Sequence, residues 1–148
     1  VSGFVTGWFG LWADRLSRKL LLLVGFVGAF CFIGIAYLAR GSWTHDLPLF
    51  IVILVLFYIF VNVSYLSEDT FKAEIWPTRS RATYTAVVRF FSIGVYIGTI
   101  FLVQLFDLDQ TILFNVLIWA IGLAAAIVWA VFGRETGRGV SVAVSSAE

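Results

Sequence analysis

Tyr58, Asn62, Tyr65, Asp69 and Lys72 follow one another at steps of 4, 3, 4 and 3. Arg81, Thr85, Arg89, Ser92, Tyr96 and Thr99 do the same at steps of 4, 4, 3, 4 and 3. Residues three and four apart share one face of a helix, so each set forms a polar stripe. Hydroxyls, an amide and aromatic rings on such a stripe can hydrogen-bond and stack on a small polar solute. The charged members can do more. A guanidinium and a carboxylate form a charge-assisted pair, and a guanidinium fork also suits a carboxylate on a solute. Tyr58, Asn62, Tyr65, Arg89, Ser92, Tyr96 and Thr99 are therefore candidates to line a substrate cavity.

Catalysis is a poor use for these residues. One histidine, His45, and one cysteine, Cys31, lie on different parts of the chain. They supply neither a nucleophile–base cluster nor a set of metal ligands. No cofactor or metal is expected. Cys31 lies in an apolar run and reads as a small packing residue. His45 stands beside Asp46 in a loop and reads as solvated.

The elements that must hold the stripes are dictated by composition. The chain has 148 residues, 61% of them hydrophobic and 13% charged, with a mean hydropathy of +0.98. Soluble domains are about 45–50% apolar and about 25% charged. A net charge of +1 argues against nucleic-acid binding, which needs a basic patch. A bilayer core takes about 20 apolar residues in a helix. Such runs cover Leu20 to Ala39, Leu47 to Leu66, Ala82 to Phe106, interrupted only by Arg89, and Thr111 to Phe132. Their length excludes short, alternating barrel strands.

The expected fold is therefore an all-α integral membrane protein. Residues 1–132 form the transmembrane region, with spans near 1–12 (partial), 20–39, 47–75, 80–106 and 111–132. Residues 133–148 form a small, polar tail. Ser17, Asp46 and Asp109 are expected to start the three spans that follow them, and Pro77 to stop the second. The chain has no methionine and opens in what reads as the second half of a helix, so it is expected to be a fragment of a longer protein. No signal peptide is visible in it.

Charge sets orientation. Arg15, Arg18, Lys19, Lys72, Arg79, Arg81, Arg134 and Arg138 fall on one side of the alternating connections, and Arg40 alone on the other. The basic side, with its loops and tail, is expected to be cytoplasmic. Ionisable groups inside a bilayer must face protein or water. The second and third full spans should then line a wet cavity, and the first and fourth should face lipid. Glu68 lies roughly 9 Å and Arg89 roughly 12 Å in from the basic side, at 1.5 Å per residue. Arg89 is expected to pair with Glu68 or Asp69, either as a buried ion pair or as part of a proton-coupling site. Gly94-x-x-x-Gly98 and Gly3-x-x-x-Gly7 are expected to permit close helix packing. Trp8, Trp12, Trp43 and Trp76 fit interfacial aromatic belts.

Three segments carry a resemblance. Gly10-Leu-Trp-Ala-Asp14-Arg15-Leu-Ser17-Arg18-Lys19 is similar to the G-x-x-x-D-R-x-G-R-R loop of the major facilitator superfamily, with Ser17 where that family has glycine. Glu74-Ile-Trp-Pro77-Thr78-Arg79-Ser-Arg81-Ala resembles the E-x-F-P-T-x-x-R hairpin between helices 10 and 11 of its sugar-porter and metabolite:proton-symporter branches. Glu135-Thr136-Gly-Arg138 loosely echoes the tail after helix 12, with Arg134 in place of proline.

The resemblance implies the end of helix 8 through helix 12, part of the C-terminal six-helix half of a twelve-helix transporter. It implies gating loops built from Gly10, Asp14, Arg15, Arg18, Lys19, Glu74, Pro77, Thr78 and Arg81, in which Glu74 and Arg81 clamp the hairpin. It also implies a sugar or organic acid as solute, coupling to protons, and a plasma-membrane location. The partners would be the lipid bilayer, the missing N-terminal half and the small-molecule solute. The competing class is a membrane scaffold or sensor that transports nothing. Such a protein would explain apolar spans but not charged stripes at depth.

Overall fold

The computed structural model describes residues 3–4, 7–8, 17–43, 45–75 and 79–133, with the backbone alone at 71–75. It is all-helical. The described helices are α1 (Arg18–Leu38), α2 (Arg40–Trp43), α3 (Leu47–Ile75), α4 (Arg81–Val103) and α5 (Leu108–Phe132). Four of them, α1, α3, α4 and α5, are long and apolar enough to cross a membrane, which marks a multi-pass membrane protein.

Local chemistry sets the helix ends. Ser17 caps α1, its hydroxyl accepting the Leu20 N–H at 3.5 Å. Asp46 caps α3, its Oδ1 accepting the Leu49 N–H at 3.3 Å. The start of α5 differs from expectation. The cap there is Asp107, whose own N–H donates to Gln110 Oε1 at 3.2 Å. Asp109 stands in the first helical turn instead. A carboxylate is favourable near a helix N-terminus at either place, so charge alone does not choose the cap; the return bond from Gln110 does. Thr111 therefore lies inside the first turn of α5, not at its start.

α1 is the hub. It packs against α3 on one side and α5 on the other. The α1–α3 contact depends on absent side chains: a Cβ added to Gly25 would lie 2.8 Å from the Ser64 backbone nitrogen, and one added to Gly28 would enter the Phe60 ring. Ala29, Ser64 and Ser67 are buried close by. The two serines satisfy their hydroxyls within α3, donating to Val61 O at 2.7 Å and Val63 O at 2.9 Å. Toward α5, Phe26 lies over Gly122. Trp119 meets the Phe26 and Phe57 rings at 5.6 Å, joining α1, α3 and α5. Cys31 is exposed on α1 and does not serve as a core packing residue.

Gly94 and Gly98 do not make the close approach their spacing suggests. Among the described residues a Cβ at either would meet nothing within 4 Å, and the same holds for Gly3 and Gly7. Every residue of α4 is exposed or half-buried within the chain, Phe90 at 75% and Val95 at 71% among them. Water would oppose so much open apolar surface, so a second apolar phase must cover it.

α2 closes the end opposite the basic loops. The Trp43 indole N–H donates to Ala36 O at 2.7 Å, satisfying a carbonyl of the last turn of α1, while its ring meets Phe50 at 5.1 Å. Trp43→Phe keeps an aromatic ring and removes the donor. It should cost about 0.5–1.5 kcal/mol, read as a lowered unfolding midpoint of the detergent-solubilised protein. Nearby, Arg40 lies 4.8 Å from the centre of the Tyr37 ring and pairs with Asp109 at 3.7 Å. A hydrogen bond with Tyr37, and then the Asp109 charge, hold the Arg40 guanidinium above its ordinary value, so its charge is permanent. The pair is solvent-exposed. Arg40→Ala should lower the midpoint slightly at low ionic strength and not at about 1 M salt, where the screening length is about 3 Å.

Candidate functional site

α3 has two faces. Phe60, Ser64 and Ser67 look toward α1, whereas Tyr58, Tyr65 and Asp69 lie in the open. The buried face holds hydroxyls that bond back to their own helix, so its polarity is spent locally. The open face leaves polar atoms available. Asn62 is half-buried and donates to Tyr58 O at 2.8 Å, leaving its amide oxygen without a role in that bond.

The second stripe runs along α4. Thr99 donates its hydroxyl to Val95 O at 2.9 Å. Ser92 and Tyr96 are exposed. The two stripes meet at Asp69 and Arg89. Arg89 Nη2 lies 3.6 Å from Asp69 Oδ1, with the side chains 63% and 59% exposed. The hydrophilic sides of α3 and α4 thus turn toward one another, and the guanidinium–carboxylate pair is open rather than buried.

Asp69 lies six residues before the end of α3. Arg89 begins deeper, eight residues past the start of α4, and its long side chain reaches back toward Asp69. A long cationic side chain is well suited to this, because its stem can lie along apolar surface while its head remains wet.

Glu68 parts company with Asp69. It borders a cavity of about 230 Å³ with Leu22, Phe26, Gly122, Ala126 and Trp129, between α1, α3 and α5. The spacing contains the reason: Phe60, Ser64 and Glu68 recur at steps of four and continue the α1-facing side, whereas Asp69 continues the open one. Sequence reasoning treated the two carboxylates as equivalent, and the helical step separates them. A second cavity, of about 130 Å³, lies toward the opposite end, lined by Phe32, Trp43, Phe50, Phe57 and other apolar residues. Its wall offers no polar group for orienting a solute.

At the basic end, Lys19 Nζ donates to Ala130 O at 3.3 Å, a cation on the C-terminal turn of α5 where the helix dipole is negative. Arg18 is buried, and Arg81 is half-buried at the first turn of α4. Of the other proposed loop residues, Gly10, Asp14, Arg15, Pro77 and Thr78 lie outside the described residues, as does the side chain of Glu74. So do Trp12, Trp76, Lys72 beyond its backbone, and the tail from Arg134 on. Trp8 is exposed.

Comparison of the chain with protein-family models, with curated proteins and with solved structures gives no match.

Proposed function

We propose that this chain is part of a secondary active transporter that moves a small polar solute across a membrane by alternating access. The observation that carries the reading is the Asp69–Arg89 pair between the facing polar stripes of α3 and α4. Two opposite charges and several hydroxyls on adjacent membrane-crossing helices are costly unless they border water or a polar ligand. A solute pathway supplies both. Transporters of this kind bind near the interface of pseudo-symmetric halves that rock about the site.

The three motif resemblances support a narrower reading. The chain would be the region from the end of helix 8 to helix 12 of a major facilitator protein of the sugar-porter or metabolite:proton-symporter type. Its partners would be the bilayer, the N-terminal half of the same transporter, a sugar or organic acid, and protons. The basic end of the bundle would face the cytoplasm and the membrane would be the plasma membrane.

Solute uptake tests the reading. The complete polypeptide, reconstituted into proteoliposomes, is expected to accumulate a labelled sugar or organic acid, with faster uptake under an inward proton gradient. A scaffold or sensor would show no uptake of either solute class above empty liposomes, and that result would replace the transporter reading.

A further inference from the structure

The cavity of about 130 Å³ lies where α1, α2, α3 and α5 meet. Its wall is built at helical spacing. Phe32 and Ala36 are four apart on α1, and Phe50 and Phe57 are seven apart on α3, so each pair presents one side of its helix to the same space. Trp43 of α2 and Ile112 of α5 help to close it. Side chains in a packed interior tend to move in on a void, because a void forfeits dispersion contacts. Here the rings are held from outside. Phe32 stacks on Phe60 at 5.5 Å, and Phe57 meets Trp119 edge-on at 5.6 Å. Trp43 is fixed twice, by its N–H on Ala36 O at 2.7 Å and by the Phe50 ring at 5.1 Å. Rings pinned in this way keep the cavity from collapsing.

The lining also decides what can enter. Among the described residues around the cavity, Trp43 alone carries a polar side-chain atom, and its N–H is already engaged with Ala36 O. A buried water needs about 2–4 polar partners, which this lining does not supply. Apolar cavities of roughly 150 Å³ stay dry and take up benzene or xenon. The rings of Phe32, Trp43, Phe50 and Phe57 offer faces and edges from several directions, which suits an aromatic occupant in edge-to-face or offset contact. A flexible chain would lose conformational freedom on entry, and a rigid ring has little to lose.

We propose that this cavity is a binding site for one small apolar aromatic molecule, of about benzene size, drawn from the apolar phase around the helices. Bound there, the ring touches α1, α2, α3 and α5 together and resists their separation. The site is the same in a transporter and in a scaffold, so its presence and solute uptake are tested separately.

Thermal unfolding of the complete polypeptide in detergent tests the site, with benzene or phenol added at equal mole fraction in the micelles. Benzene should raise the midpoint along a saturating curve, as a ligand bound only by the folded state does. Phenol should need at least about tenfold more for half of the effect, because its hydroxyl would enter without a partner. Ala36→Leu puts a larger apolar side chain into the cavity from α1, and Ile112→Phe does so from α5. Each should unfold near the wild-type midpoint and lose the benzene response, and having two guards against one that fails to fold. Crystals of the complete polypeptide soaked in bromobenzene should show one bromine between Trp43 and Phe57, a readout that needs no variant. A wild-type midpoint that benzene does not raise, or raises equally in the filled variants, would overturn the proposal. Phenol as potent as benzene would reveal a polar partner in the wall and overturn it too. So would an acyl chain, or a side chain from outside residues 1–148, seated in the cavity of the soaked crystals, which would make the space a lipid groove or a packing interface.

Discussion

Gly25→Ala is expected to unfold or aggregate a large share of the protein in detergent, although it adds a single methyl group. The new Cβ would lie 2.8 Å from the Ser64 nitrogen and 2.9 Å from its Cα, closer than side-chain carbons approach a backbone. Neither helix has a rotamer to adjust there, so α1 and α3 must separate along their whole contact. Overpacking of this kind costs about 1–3 kcal/mol and sometimes more. Alanine's better helix propensity returns only about 1 kcal/mol. In a membrane the loss is hard to recover, because close packing and not water exclusion holds the helices together.

The same physics grades the other glycines. Gly28→Ala meets the Phe60 ring, a side chain that can swing aside, so its cost should be smaller than that at Gly25. Gly94→Ala and Gly98→Ala meet nothing within 4 Å among the described residues, so the contacts within the chain predict no loss. The unfolding midpoint of the four variants, measured side by side, checks the order. If Gly94→Ala proves as damaging as Gly25→Ala, α4 packs tightly on something outside this chain, and the ranking built from α1 fails.

The outcome at the glycines shows where sequence stopped being informative. Four long apolar runs identify four membrane-crossing helices, because length and hydropathy decide that question alone. Which side of an apolar helix is buried is a different matter. When nearly all residues are apolar, polarity no longer marks the core side, and α1 could not be recognised as the hub. Gly25 and Ala29 have a small-xxx-small spacing and, with Gly28, sit at the tight α1–α3 crossing. Gly94 and Gly98 have the same spacing and stand open among the described residues, so the spacing alone does not say which pair is used. The polar stripes of α3 and α4 were legible for the converse reason: charged and hydroxyl residues are scarce there, so their helical step stands out. The step also separates Glu68 from Asp69, but the depth estimate merged them, since a rise of 1.5 Å per residue blurs neighbours that differ by about 100° around the axis.

The second large effect belongs to the ion pair. Arg89→Ala should impair folding and uptake clearly more than Arg79→Ala, although both remove one arginine from the same end of the bundle. Arg79 is exposed in the turn before α4, where a lost charge matters to within about 0.5 kcal/mol. Arg89 is eight residues into an apolar helix, and its loss leaves Asp69 facing the space between α3 and α4. Two limits bracket the cost. A fully buried pair that loses one partner costs about 3–5 kcal/mol, and an exposed surface pair about 0–1 kcal/mol. With side chains 63% and 59% exposed within the chain, the value should lie between these limits, and the surroundings decide where. Lipid against the pair would push it toward the upper limit, and a water-filled space toward the lower. The double variant Arg89→Asp with Asp69→Arg restores opposite charges at the same two positions. If pairing is what matters for stability, the swap should recover part of the unfolding midpoint that either single reversal loses. Equal, mild losses from Arg89→Ala and Arg79→Ala, with no recovery in the swap, would mean that the 3.6 Å contact is incidental.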